Sequence, residues 1–225
     1  MSKAGNIPAG LFSEQSLSFR RLVGQRPKRR FYLIVCEGEE TEPNYFEAIR
    51  QRLPKEMVQR VTIKGTGRNT LTLVDHVEKL IEQRRCQNLP PFYEVWVVMD
   101  RDSFPAADFD NAIKQIEQHT EQSCHWSAAW SNEAFELWYL LHFTEQTGGP
   151  IHREEYATRL AKLLGHPYAK NDSNMFKELQ DKTLEAIQRA ERGYRSHVAR
   201  KCPYHQMNPA TTVFRLVRQL LSYMD

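Results

Sequence analysis

Two stretches constrain this chain more than any others: residues 31–46, FYLIVCEGEETEPNYF, and residues 94–102, EVWVVMDRD. Each opens as a nearly continuous apolar run rich in β-branched and aromatic residues, and each ends abruptly in carboxylates. Such a run reads as a strand buried on both faces that delivers acidic side chains to a sheet edge. If the two strands are parallel neighbours, Glu37, Asp100 and Asp102 converge in one crevice. Three crowded carboxylates repel one another unless a cation lies among them, and oxygen ligands without His or Cys suit a hard divalent ion.

The rest of the pattern supplies a frame for that crevice. Thr41, Glu42 and Pro43 form a helix start, with a hydroxyl cap, an acid in the first turn and a proline where its missing N–H costs least. Phe46, Ile49 and Leu53 continue at helical spacing until Pro54. Residues 58–64 predict a second strand. The loop 65–70, GTGRNT, leads into a helix striped with Leu71, Val74, Val77, Leu80 and Ile81. Its two glycines and Arg68 suit either a phosphate contact or a plain turn, and it lacks the Gly-Lys-Ser/Thr ending of a P-loop. Residues 94–99 form the third strand, Phe109, Ala112, Ile113 and Ile116 mark a helix, and residues 125–130 give a fourth strand. That alternation predicts an α/β fold with a parallel sheet of about four strands, right-handed crossovers and a ligand site at the strands' carboxyl ends.

From Asn132 the pattern turns helical. Ser131-Asn132-Glu133 reads as a cap for a helix carrying Phe135, Leu137, Trp138, Leu140 and Leu141. Glu136 has two readings within it: a carboxylate turned toward the acidic crevice, or the wet side of an amphipathic helix. Further helices are predicted over 156–164, 176–191 and 213–221. The chain thus divides into a flexible basic arm, 1–30, an α/β domain, 31–145, and a helical extension packed on it, 146–225.

A length of 225 residues with 40% hydrophobic and 26% charged side chains can bury one real core. The formal charge of +3 points to no partner by itself. Its distribution is more telling: Arg20, Arg21, Arg26, Lys28, Arg29 and Arg30 precede the first strand, and Arg189, Arg192, Arg195, Arg200 and Lys201 cluster near the other end. Both segments suit a polyanion, and both also suit solvated faces. Four cysteines without a C-x-x-C pair, and no signal peptide, lead to the expectation of a reducing cytoplasm. No apolar run approaches the roughly 20 residues that a spanning helix needs, so no membrane is expected. Cys202 and His205, with Cys124 and His125, have the spacing of zinc ligands, but nothing in the sequence joins the two segments.

Four blocks, CEGEETEPNYF, VMDRD, SNEAFELWYLLHF and NPATTV, occur in an order and spacing that resemble the RloB family of phage-defence proteins, from about residue 31 to the end. That family is a divergent member of the Toprim group, so the resemblance implies a Toprim-like sheet between helices. It identifies Glu37 with the Toprim glutamate and Asp100 and Asp102 with its Asp-x-Asp pair. These acids would bind Mg²⁺ or Mn²⁺, with Glu136 as a further ligand. Glu39, Glu40 or Glu42 could add another, although Glu42 also reads as a helix-terminal charge. A lysine near the scissile phosphate is also implied, with Lys170 the first candidate and Lys201 the second.

The implied activity is metal-dependent phosphodiester hydrolysis, catalysed by Glu37, Asp100, Asp102 and Lys170. Arg68, Arg101, Arg192, Arg195, Arg200 and Lys201 would hold nucleic acid. RNA, with tRNA among the candidates, is the implied substrate, and an ABC-type ATPase the implied partner. Two other classes remain open. Asp-x-Asp also ends strands in haloacid-dehalogenase phosphatases and in glycosyltransferases. Alternatively, the chain is a non-catalytic module that docks on an ATPase through the apolar helix 213–221.

Overall fold

A computed structural model describes residues 29–68, 70–102, 105–119 and 124–224. Most of the expected basic arm, with Arg20, Arg21, Arg26 and Lys28, lies outside these residues, as does the side chain of Leu71. The first half alternates strands and helices: β1 (Phe31–Cys36), α1 (Thr41–Arg50), α2 (Lys55–Val58), β2 (Val61–Gly65), α3 (Thr70–Cys86), β3 (Phe92–Asp100), α4 (Ala106–Gln118) and β4 (His125–Asn132). There follow α5 (Glu136–Leu141), α6 (Arg153–Leu164), α7 (Met175–Leu179), α8 (Thr183–Ala199), β5 (Ala210–Thr211) and α9 (Val213–Leu221).

The five strands lie in the order β2-β1-β3-β4-β5. The first four are parallel and β5 runs antiparallel to β4. Because successive side chains of a strand point to opposite faces, β1 feeds two cores. Tyr32, Ile34 and Cys36 join Trp96 and Val98 on the face covered by α1, α5, α8 and α9. Leu33 and Val35 join Val95, Val97 and Met99 on the face covered by α3 and α4. Each such fully buried aliphatic side chain stabilises the fold by about 1.5–3 kcal/mol, which explains the unbroken apolar runs.

Local expectations shift where long-range pairing intervenes. Ser131 and Asn132, read as a helix cap, instead extend β4, because they pair with Thr211 and Ala210 of the unforeseen β5. The Ser131 and Thr211 hydroxyls lie 3.0 Å apart. Val58, expected to open the second strand, instead closes the short helix α2, and the long helix expected over 176–191 is divided into α7 and α8 by a 3₁₀ turn, Gln180–Lys182. The apolar face of α9 is used inside the chain, with Val213, Phe214, Val217 and Leu220 all buried, so the docking surface expected there does not exist as such. Among the described residues no helix is long and apolar enough to cross a membrane.

Candidate metal centre

The site forms where β1 and β3 end side by side, with Cys36 opposite Val98. The backbone N–H of Glu37 donates to the Val98 carbonyl at 2.9 Å, so this residue leaves the sheet at its carboxyl edge. Its Oε2 accepts the N–H of Asp100 at 3.1 Å, which ties the two acidic motifs directly together. Asp100 accepts the N–H of Phe135, just before α5, through Oδ2 at 2.9 Å. Although the residue as a whole is half-buried, its Oδ1 is shut off from solvent and has no hydrogen-bond partner among the described residues.

Two more carboxylates turn inward. Glu42 in the first turn of α1 and Glu136 at the start of α5 are each 5% exposed. Glu42 packs directly on Gly38, so a Cβ added there would have to displace the Glu42 carboxylate. Of the two readings of Glu136, the structure favours the crevice: the residue lines it, and Oε1 accepts the Tyr168 hydroxyl at 3.0 Å. Thr41 does not cap α1. Its hydroxyl donates to the Lys170 carbonyl at 3.0 Å and so draws the loop carrying Lys170 to the rim.

The resulting cavity, about 360 Å³, is lined by seven carboxylates (Glu37, Glu39, Glu40, Glu42, Asp100, Asp102, Glu136) and two cations, Arg153 and Lys170. That imbalance sets the electrostatics. Burial first, then Glu42, Glu136 and Glu37, hold the Asp100 carboxyl well above the usual range, against the Phe135 N–H. Burial likewise raises Glu42, with Glu136 adding to it, while backbone N–H groups and Lys170 pull it down. Burial, and then Glu136, keep the Tyr168 phenol protonated, so it can only donate to Glu136. Asp102 differs from the other acids. It occupies the left-handed region at φ 40° and pairs with Arg153 at the start of α6.

These residues fit a hard cation by donor chemistry: all-oxygen side chains, buried like charges, and an unsatisfied Asp100 Oδ1 directed into the protein. Among the described residues no three His, Cys, Asp or Glu side chains converge on a ready-made ion site.

A family model described as RloB-like protein matches residues 32–220. The chain belongs to the RloB-like family. No curated protein and no solved structure matches it.

In this RloB-like chain the other cations singled out by sequence do not line the acidic cavity. Arg68 is exposed in the loop after β2, and among the described residues of that loop its neighbour Gly67 lines the cavity. Arg101 donates to the Asp102 carbonyl at 3.1 Å and keeps its Nε buried without a partner among the described residues. Arg192 and Arg200 line a second, separate cavity, Arg195 pairs with Glu191, and Lys201 is exposed beyond α8. His205, weighed as a zinc ligand, instead bonds Asp110 through Nδ1 at 2.8 Å.

Two contributors escaped the sequence motifs altogether. Arg153 stands in no acidic block, and its N–H is anchored by Glu133 Oε2 at 3.1 Å. Tyr168 precedes Lys170 by two residues, and only its bond to Glu136 distinguishes it from an ordinary packed tyrosine.

Proposed function

We propose that this RloB-like protein is a metal-dependent phosphodiesterase acting on RNA, with the acidic cavity as its catalytic centre and Mg²⁺ or Mn²⁺ as cofactor. The observation that carries this reading is the meeting of Glu37, Glu42, Asp100 and Glu136 in one cavity at the carboxyl ends of β1 and β3, where burial and mutual repulsion make their charges costly. Glu37, Asp100 and Glu136 would hold the ion, with Glu42 beside them and Asp102 once Arg153 releases it. When bound, a divalent ion acidifies water and offsets charge on a phosphoryl group.

The chain's own groups supply the remainder. Lys170 and Arg153, the two cations at the rim, hold the phosphodiester's oxygens and stabilise the charge that develops there. Tyr168 fixes the orientation of Glu136. Gly38 keeps Glu42 pressed against the cavity floor. We further assign an ABC-type ATPase as the controlling partner and a reducing cytoplasm as the setting, the latter supported by four cysteines outside any disulfide. A purely structural role would leave the buried Asp100 and Glu42 destabilising the fold to no purpose.

The test is incubation of the purified protein, with and without its ATPase partner, with labelled RNA and DNA in Mg²⁺ or Mn²⁺. RNA cleavage that is lost in EDTA and in both Glu37→Gln and Asp100→Asn is the expected result. Cleavage that persists in both variants rules the reading out.

A further inference from the structure

A second cavity, about 590 Å³ and larger than the acidic one, lies elsewhere among the described residues. It runs along α8, between that helix, the end of α5, the loop around Gly149 and the segment around Pro209. Its charge is of the opposite sign: Arg189, Arg192 and Arg200 line it, with Glu145 as the one acidic lining residue among those described. Along α8 and its C-terminal cap, Arg189, Gly193, Ser196 and Arg200 succeed one another at spacings of four, three and four residues, which puts them on a single stripe facing the cavity.

Several details mark this surface as built for a ligand. Arg189 is committed to structure, since Nη1 donates to the Leu141 and His142 carbonyls at 2.8 and 3.0 Å and so caps α5. Arg192 and Arg200 are not so committed. Arg192 donates through Nε to Glu145, in a pair whose side chains are 56% and 43% exposed, and an exposed pair of this kind is easily exchanged for an anion. Arg200 donates through Nη2 to Nδ1 of the buried His197 at 3.0 Å; because an arginine can only donate, that nitrogen is the acceptor and the imidazole is neutral. The guanidinium is thus held in place by a group that does not neutralise it.

Gly193 supplies an independent observation. It lies inside a 17-residue helix, where glycine weakens the helix relative to alanine. Packing does not demand it, because an added Cβ would meet only the Pro209 carbonyl at an ordinary 3.9 Å. What the missing side chain provides is room in the cavity. Beside that room lie apolar Leu137, Leu141 and Ala190, with the amides of Gln206 and Asn208 at the edge. An apolar floor with a few polar groups and a cationic rim is the pattern of a site for an amphiphilic anion.

We infer that this cavity binds a nucleoside phosphate, with the phosphate held by Arg192 and Arg200 and the base lying over Leu137, Leu141 and Ala190 in the space left by Gly193. The ligand is either a free nucleotide or the phosphorylated end of an RNA. The site needs no divalent ion and stands apart from the acidic cavity, so its failure would leave the proposed phosphodiesterase untouched.

Calorimetric titration of the full chain in EDTA tests it, with AMP, ATP, adenosine, inorganic phosphate and a 5′-phosphorylated tetraribonucleotide as probes. Saturable binding of a phosphorylated nucleoside, much stronger than that of adenosine, is expected. Binding of AMP or ATP identifies a free nucleotide, and binding of the oligonucleotide alone identifies an RNA end. The double variant Arg192→Gln/Arg200→Gln should weaken binding by about tenfold or more. Gly193→Leu should block it, Gly193→Ala should keep the fold with weaker binding, and Asp100→Asn should bind as the wild type does. Absence of saturable binding by every phosphorylated probe overturns the inference. So does undiminished binding by the arginine double variant, or loss of binding in Asp100→Asn.

Discussion

The two cavities share a wall and oppose each other in charge. Helix α5 contributes Glu136 to the acidic one and, from its next positions, Leu137 and Leu141 to the basic one. In the acidic cavity the charges are alike, opposed by two cations, and at Glu42, Glu136 and the Asp100 carboxyl buried, so the folded chain carries them at a cost. Along α8 the charges are more exposed and mostly partnered, so they cost little and stabilise little. The contrast teaches that burial, rather than the number of charges, sets what a group of charged side chains costs the fold.

The largest effect expected from this contrast is at Asp100. Asp100→Asn removes a buried charge pressed by Glu42, Glu136 and Glu37. In EDTA it should stabilise the fold by about 1–3 kcal/mol, a rise of several degrees in Tm, while RNA cleavage falls by roughly 100-fold or more. Thermal denaturation paired with a cleavage assay reads both. A destabilised variant would mean that the charge is compensated and the contrast misdrawn.

Gly38→Ala comes next. Its Cβ would force Glu42 away from the floor, so we expect a loss of about 1–3 kcal/mol and a smaller Tm gain on adding Mg²⁺ than the wild type shows.

A third prediction separates the regions by pH. His142, whose backbone carbonyl borders the α8 side through Arg189, has its pKa pushed down to about 4, first by burial. Its unfolded value is near 6.5, so the unfolded chain binds more protons between those limits. The contribution of this histidine is therefore intact above about pH 6.5 and is lost as pH falls toward 4. Asp100 and Glu42, raised by burial, act in the opposite sense: as pH rises above the ordinary carboxyl range, the folded state loses stability. In Asp100→Asn that opposing limb shrinks, so denaturation midpoints from pH 7 to 5 should fall more steeply than in the wild type, by roughly 1–2 kcal/mol over the window. Parallel slopes would show that the Asp100 carboxyl is not raised in the folded chain.

The smallest effect is expected at Arg153. Its pair with Asp102 is 37% and 30% exposed, so Arg153→Gln should change stability by less than about 1 kcal/mol. Freed from that partner, Asp102 should bind Mn²⁺ more tightly while RNA is held more weakly, which metal titration and a cleavage KM would separate.

Much of this was readable from local pattern. Strands β1 and β3, their parallel setting and the carboxylates at their ends follow from apolar runs that only a doubly covered sheet can accommodate. The stripes of α3 and α4 follow from helical spacing, because periodicity is a property of neighbouring residues. The same logic fails for β5, whose two residues carry no period and exist as a strand only through pairing with Ser131 and Asn132. It fails also for Thr41, whose hydroxyl donates to a distant carbonyl instead of capping its helix.

The sequence by itself determined that acids would gather at the carboxyl edge of a parallel sheet, since strand burial and chain direction are written in consecutive residues. Only the tertiary structure decided which acids are buried and which are paired. Glu42 and Glu136 turn inward, and Asp102 is taken by an arginine 51 residues away. The reason is physical: desolvation and Coulomb interaction depend on what packs around a charge in space, and no spacing along the chain encodes that environment.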